Sequence, residues 1–261
     1  MNLLYFGTTG RQLFGAYHAP PATVAARGAA LLCPPWGQEY LVSHRIFRRL
    51  AVRLSESGYH VLRFDYYGTG DSAGGREEGD LDSWLEDAQL AAEELRDMSG
   101  YGSFACFGIR LGAVIASRLA AREAEVHTTV LWDPVVNGER YLKEMQTAQL
   151  EIERWAVNPM RRTKPTDPVQ DLLGFPLTQQ MRRSIAAVQP QSFIAPSKAH
   201  LKVFYSDESP AQQELHQALH AAGAAFHAET ILGQTPWRED ERMGAGALPV
   251  LVLERMVEIL R

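Results

Sequence analysis

The chain has 261 residues, with 26 Lys and Arg against 31 Asp and Glu for a formal charge of −5, and it is 46% hydrophobic. Those values exclude a disordered chain, and a mildly acidic balance without a Lys/Arg block argues against a nucleic-acid partner. No apolar run approaches the roughly 18 residues of a membrane span. The opening MNLLYFGTTGRQLF lacks the basic-then-apolar plan of a signal peptide. Cys33 and Cys106 both sit in apolar runs, as expected of a soluble cytoplasmic protein with reduced thiols.

Taken in chain order, Leu3–Phe6 and Gln12–Tyr17 read as two short strands joined by a turn at Thr8-Thr9-Gly10. Ala29–Cys33 is a buried strand stopped by Pro34-Pro35, and His44–Ser55 has helical apolar spacing. Strand Tyr59–Phe64 precedes a turn-rich stretch, Asp65–Gly75, in which Asp65 and Asp71 are expected to fix the turn. A helix over Asp82–Met98, strand Ser103–Phe107, helix Arg110–Arg122 and strand Val126–Trp132 follow. After a long insertion come strand Leu201–Tyr205, helix Pro210–Ala222, strand Ala225–Leu232 and helix Leu248–Leu260. This alternation requires crossovers and a mainly parallel sheet of about eight strands covered on both faces. The expected organisation is a core of residues 1–134 and 199–261 with an insertion of residues 135–198. NGERYLKEMQTAQLEIERW and DLLGFPLTQQMRRSIAAV both carry helix patterns, so the insertion is expected to be a helical lid over the C-terminal edge of the sheet. Its run Arg161-Arg162-Thr163-Lys164 reads as a solvated tip.

Gly108-Ile109-Arg110-Leu111-Gly112 lies at a strand-to-helix junction, with two glycines four apart. In spacing and context it resembles the G-x-S-x-G nucleophile elbow of α/β hydrolases. VLRFDYYGTGDSAG (Val61–Gly74) resembles the segment after the fourth strand of that fold, and CPPWG (Cys33–Gly37) sits where the family places its oxyanion loop. Within the fold the likeness is to serine aminopeptidase (S33)-like hydrolases, in particular the hydrolase-like proteins that accompany exosortases. PPWGQE, GIRLGA, LWDPVVNGERYL and LLGFPL carry it. The resemblance implies an α/β-hydrolase fold with a lid after strand six. It also implies a pocket lined by Trp36, Gly37, Glu39, Leu111 and Trp237.

The departures are chemical. The position for the nucleophilic Ser holds Arg110, whose guanidinium stays protonated and cannot attack a carbonyl. The segment Gly233–Gly244, where the family has its triad His, contains none, and Trp237 stands about there. Asp207 or Glu208 fills the acid slot, and an acid without its His has nothing to orient. Asp133 is a further candidate, as an acid or as the partner of Arg110, and Glu39 is the alternative partner. His44 is the histidine expected near the pocket mouth, where a Cys33–His44 pair is the remaining substitute for the triad.

No metal-ligand spacing and no Walker loop is present, so no metal or cofactor is expected. The expected function is a non-standard enzyme acting on a small acyl- or carboxylate-bearing metabolite of a biosynthetic pathway. A non-catalytic binding or accessory protein and a hydrolase with a displaced nucleophile are the alternatives. The expected partner is a small acyl or anionic ligand, with homodimerisation open.

Overall fold

Two N-terminal strands, β1 (Asn2–Thr8) and β2 (Arg11–His18), open the chain and are followed by β3 (Gly28–Cys33), α1 (Gln38–Glu56) and β4 (Tyr59–Phe64). Next come α2 (Leu81–Ser99), β5 (Phe104–Ile109), α3 (Leu111–Arg122) and β6 (Val126–Trp132). The insertion contributes α4 (Gly138–Trp155), β7 (Val169–Leu172), β8 (Phe175–Thr178), α5 (Gln179–Ala186) and a short 3₁₀ turn at Pro190–Phe193. The chain returns through β9 (His200–Tyr205), α6 (Pro210–Ala221), β10 (Phe226–Thr230) and α7 (Val250–Glu258). This computed structural model describes residues 1–155, 169–194, 199–232, 237 and 248–260. The Arg161–Lys164 run and most of Gly233–Gly244 lie outside the described residues.

Among the described residues, eight strands form one sheet in the order β1-β2-β4-β3-β5-β6-β9-β10. The β1–β2 hairpin is antiparallel and joins β4 antiparallel, while every later pairing in this sheet is parallel. The expected α/β-hydrolase fold, with its antiparallel edge, is what forms. Every residue of β3 and β5 is buried, as a strand covered by helices on both faces must be. One core layer joins the sheet to α2, α3 and α6, and the other joins it to α1 and α7.

The insertion differs from the helical reading in one respect. Its second helix pattern divides into the β7–β8 hairpin and the short helix α5. The hairpin loop is Leu173-Gly174, with φ of 55° and 83°. Two successive positive φ values make the primed two-residue turn that matches strand twist. The apolar run LLGFPL hides that turn, because a Leu at positive φ leaves no mark in the pattern. The insertion also packs more deeply than a covering segment need do. Tyr141, Leu142, Leu177, Met181, Ile185 and Phe193 are buried in the same core layer as α2 and α3.

Candidate active site

The elbow is built by close packing that only glycine allows. A Cβ on Gly108 would run into the Gly112 carbonyl oxygen, and one on Gly112 into that of Cys33. The two glycines therefore let α3 start hard against the ends of β5 and β3. Between them Arg110 adopts φ 54°, ψ −119°, a conformation that costs a non-glycine residue about 1–3 kcal/mol. The strand-to-helix turn is therefore strained at its tip, and the side chain there is a guanidinium.

That guanidinium is held from three sides. Its Nε donates to Glu39 Oε1 at 2.8 Å, and its Nη1 donates to the Asp133 main-chain oxygen at 3.1 Å. The Tyr141 hydroxyl donates to the other Glu39 oxygen at 3.0 Å. Tyr141 and Trp237 place their ring centroids 5.7 and 5.9 Å from the Arg110 carbon, within cation–π range. Burial is the largest influence and works against the charge, but Glu39, Tyr141 and Asp133 together outweigh it and hold Arg110 above the ordinary arginine value. Burial, then Glu39, pushes the Tyr141 hydroxyl well up, which keeps it a protonated donor.

Glu39 resolves an electrostatic conflict. Arg110 caps α3, where the helix dipole already presents positive charge, and Gly37 caps α1 without a side-chain bond. One buried carboxylate between the two helix starts answers both dipoles and the guanidinium. Gly37 lends the required turn, with φ 66°.

The expected residues sort into those brought together and those kept apart. Arg110, Glu39, Asp133 and Trp237 form one cluster, and Leu111 opens α3 beside them with its side chain in the core. Trp36 is buried and packs edge-on against Phe175 of β8, so it joins the insertion to the loop between β3 and α1. Asp133 hydrogen-bonds Arg110 through its main chain, and its carboxylate reaches Arg110 by charge alone rather than as the expected ion-pair partner. The carboxylate instead accepts from the Ser206 N–H at 2.8 Å and from Trp237 Nε1 at 3.2 Å. Burial raises its pKa, and those bonds from Ser206 oppose the rise. Asp207 lies close enough to add to that rise, whereas Glu208 is exposed.

His44 is the clearest correction. It is exposed and lines a cleft with Tyr40, Arg48, Arg63 and Asp65 rather than the elbow. Five residues separate it from Glu39, which is about 140° around a helix of 3.6 residues per turn. The Cys33–His44 pair does not form either. Cys33 is fully buried with its Sγ 3.7 Å from that of Cys106, whose thiol burial pushes up. Asp65 takes the Tyr40 hydroxyl at 2.6 Å and the Asp71 N–H at 3.0 Å, so it fixes its turn as expected.

Tyr141 is the member of the cluster that sequence reasoning missed. It lies 102 residues from Glu39, and its own helix pattern marks it only as an apolar-face position. Trp132 was missed as well; it donates to Ser206 Oγ at 2.9 Å and backs Trp237 with ring centroids 4.7 Å apart.

One titration follows from the neighbouring cleft. His18 is buried, and burial, then chiefly the charge of Arg63, lowers its pKa to about 4. The unfolded chain binds that proton from about pH 6.5 downward, so folding loses stability as pH falls from about 6.5 to about 4. An NMR titration should find the His18 midpoint near 4, and His18→Gln should flatten the stability slope across that window. A midpoint at the ordinary histidine value would contradict the assignment.

Fold and elbow together define an α/β hydrolase. Residues 41–227 match the family model of serine aminopeptidase, S33, and the chain belongs to that family. No curated protein matches the sequence significantly. Among solved structures, Est1E from Butyrivibrio proteoclasticus with ferulic acid bound is similar, at a TM-score of 0.67 and 18% identity. That likeness covers 98% of this chain and 96% of Est1E. The DcsB complex with its substrate analogue is similar at a TM-score of 0.70 and 16% identity, covering 100% and 98% of the two chains. A soluble variant of the monoglyceride lipase from Saccharomyces cerevisiae, in complex with a substrate analogue, is similar at 0.67 and 15%, covering 99% and 94%. At these identities the likeness is one of fold.

Proposed function

We propose that this member of the family holds a small acyl- or carboxylate-bearing metabolite of a biosynthetic pathway at Arg110, and that any turnover proceeds without an acyl-enzyme. The carrying observation is the guanidinium standing at the tip of the strained strand-to-helix turn. Of its five N–H groups, Nε and Nη1 spend one bond each, and the other three have no partner among the described residues. An arginine clamps a carboxylate through two parallel bonds. Ferulic acid, the ligand in the Est1E structure, is of that acyl class and supports the choice.

A binding or accessory role is the second reading, and the Glu39 pair favours it, since it already neutralises the guanidinium. A displaced nucleophile has no support at the thiols, both of which are buried.

Two experiments test the proposal. A fluorophosphonate probe should leave the protein unlabelled, and Arg110→Ser should stay far below ordinary esterase turnover, because triad members act as a unit. Rapid stoichiometric labelling of any Ser would sink this reading. Ferulate should raise the melting temperature, and Arg110→Lys should weaken its binding by about 1–3 kcal/mol, the scale of a charge-assisted bond. Equal affinity in the Lys variant would remove Arg110 as the anchor.

A further inference from the structure

A cleft of about 400 Å³ opens between α1 and the outer face of the β1–β2 hairpin. Its existence follows from the sheet. Helix α1 packs mainly on β4 and only touches β2, so the outermost strand has no helix above it on this side. Leu3 and Tyr5 on β1 are accordingly 62% and 60% exposed. Strand alternation aims Arg63 into this space, because Val61, two residues earlier, packs beneath α1. Arg63 pairs in register with Ala16, which pairs with Leu3, and all three line the cleft.

The hydrogen-bonding capacity of Arg63 is largely unspent among the described residues. Its side chain is half-buried, yet among the described residues its guanidinium forms no ion pair. Nε reaches the neutral His18 Nε2 at 3.4 Å, and Nη2 lies 3.9 Å from the Met1 sulfur. The Asp65 carboxylate acts on Arg63 through its charge without an ion pair, yet burial still outweighs it, and a desolvated guanidinium with only weak hydrogen-bond partners favours a directly bonded anion. Arg48, exposed on α1, stands near enough to Arg63 and His18 to disfavour positive charge on both. Apolar walls from Phe14, Phe47 and Phe64 continue away from this basic end.

The acids in the cleft limit the ligand. Asp65 spends its two carboxylate oxygens on Tyr40 and on the Asp71 N–H, with His44 nearby, and Asp71 is exposed at the same end. Two acids beside two arginines disfavour a multiply charged phosphate and tolerate a single carboxylate held at the arginine end. We propose that this cleft is a second binding site, separate from the elbow, for a small amphipathic monocarboxylate. Its head would sit on Arg63 and Arg48 and its apolar body over Phe14, Phe47 and Leu3. The cavity lies within the size range of small-molecule sites, about 300–1,000 Å³.

Octanoate tests this on the full chain, with octylamine and inorganic phosphate as controls. The ring resonances of His18 and His44 report the cleft, and the indole resonance of Trp237 reports the elbow. Octanoate should move the two histidine resonances saturably, while octylamine and phosphate leave them in place. Arg63→Gln should weaken that response by roughly tenfold or more, the loss expected for a charge-assisted bond. Arg48→Glu, a surface change that leaves the core untouched, should weaken it too. Arg110→Lys should leave it unaltered, so failure at the elbow and failure at the cleft are read separately. Unmoved histidine resonances, an equal response to phosphate, or undiminished binding in both the Arg63 and Arg48 variants would overturn the proposal.

Discussion

Glu39→Ala is expected to destabilise the fold by about 3–5 kcal/mol, the scale of stripping one partner from a buried ion pair. The Glu39 side chain is 4% exposed and that of Arg110 is 16% exposed, so the stranded guanidinium has little water to turn to. The variant also orphans the Tyr141 hydroxyl and leaves the positive ends of α1 and α3 without their shared carboxylate. The pair itself need not add net stability. Glu39→Leu combined with Arg110→Met removes both charges, and such exchanges are often neutral or stabilising. Urea melts of the wild type, the single variants and the double variant close a cycle, and its coupling should be large. An anionic ligand should restore stability to Glu39→Ala more than to the wild type, because it would replace the missing carboxylate. A loss below about 1 kcal/mol would place the pair among ordinary surface bridges.

The sheet was legible because strands buried on both faces are nearly continuous apolar runs. Ala29–Cys33 is such a run, and it forms β3, Gly28–Cys33, with every residue buried. Helix α1 starts at Gln38, six residues before its expected start at His44, since Gly37 offers no side-chain cap to mark it. The elbow showed itself through Gly108 and Gly112, whose spacing states a steric need. Glu39 could be named as an Arg110 partner because it follows the oxyanion-loop segment. The rest depended on tertiary placement. Helical rotation sends His44 away from Glu39, and nothing local to the chain brings Tyr141 over Arg110 from an element beyond β6. Asp133 is similar: its φ of 42° turns the carboxylate to Ser206 and Trp237 and offers Arg110 the main-chain oxygen instead.

The insertion supports the last prediction, in which deleting about residues 138–193 and bridging the gap abolishes folding. Tyr141, Leu142, Leu172, Leu177, Met181, Ile185, Val188 and Phe193 would all leave the core layer shared with α2, α3 and α6. Each fully buried apolar side chain of this size contributes about 1.5–3 kcal/mol. Losing eight of them is comparable to the whole stability of a domain, about 5–15 kcal/mol. The surfaces they leave behind would be exposed together as one apolar face. Tight fits strengthen the expectation. A Cβ on Gly138 would meet the Ile185 carbonyl carbon at 2.6 Å, so α4 begins in direct contact with the end of α5. Trp36 would lose Phe175, and Glu39 would lose Tyr141, so the β3–α1 loop and the turn at Arg110 would lose support at once. Far-ultraviolet circular dichroism and a cooperative thermal melt check the result. A soluble truncated protein that melts cooperatively would show that the sheet stands alone and that the insertion only covers it.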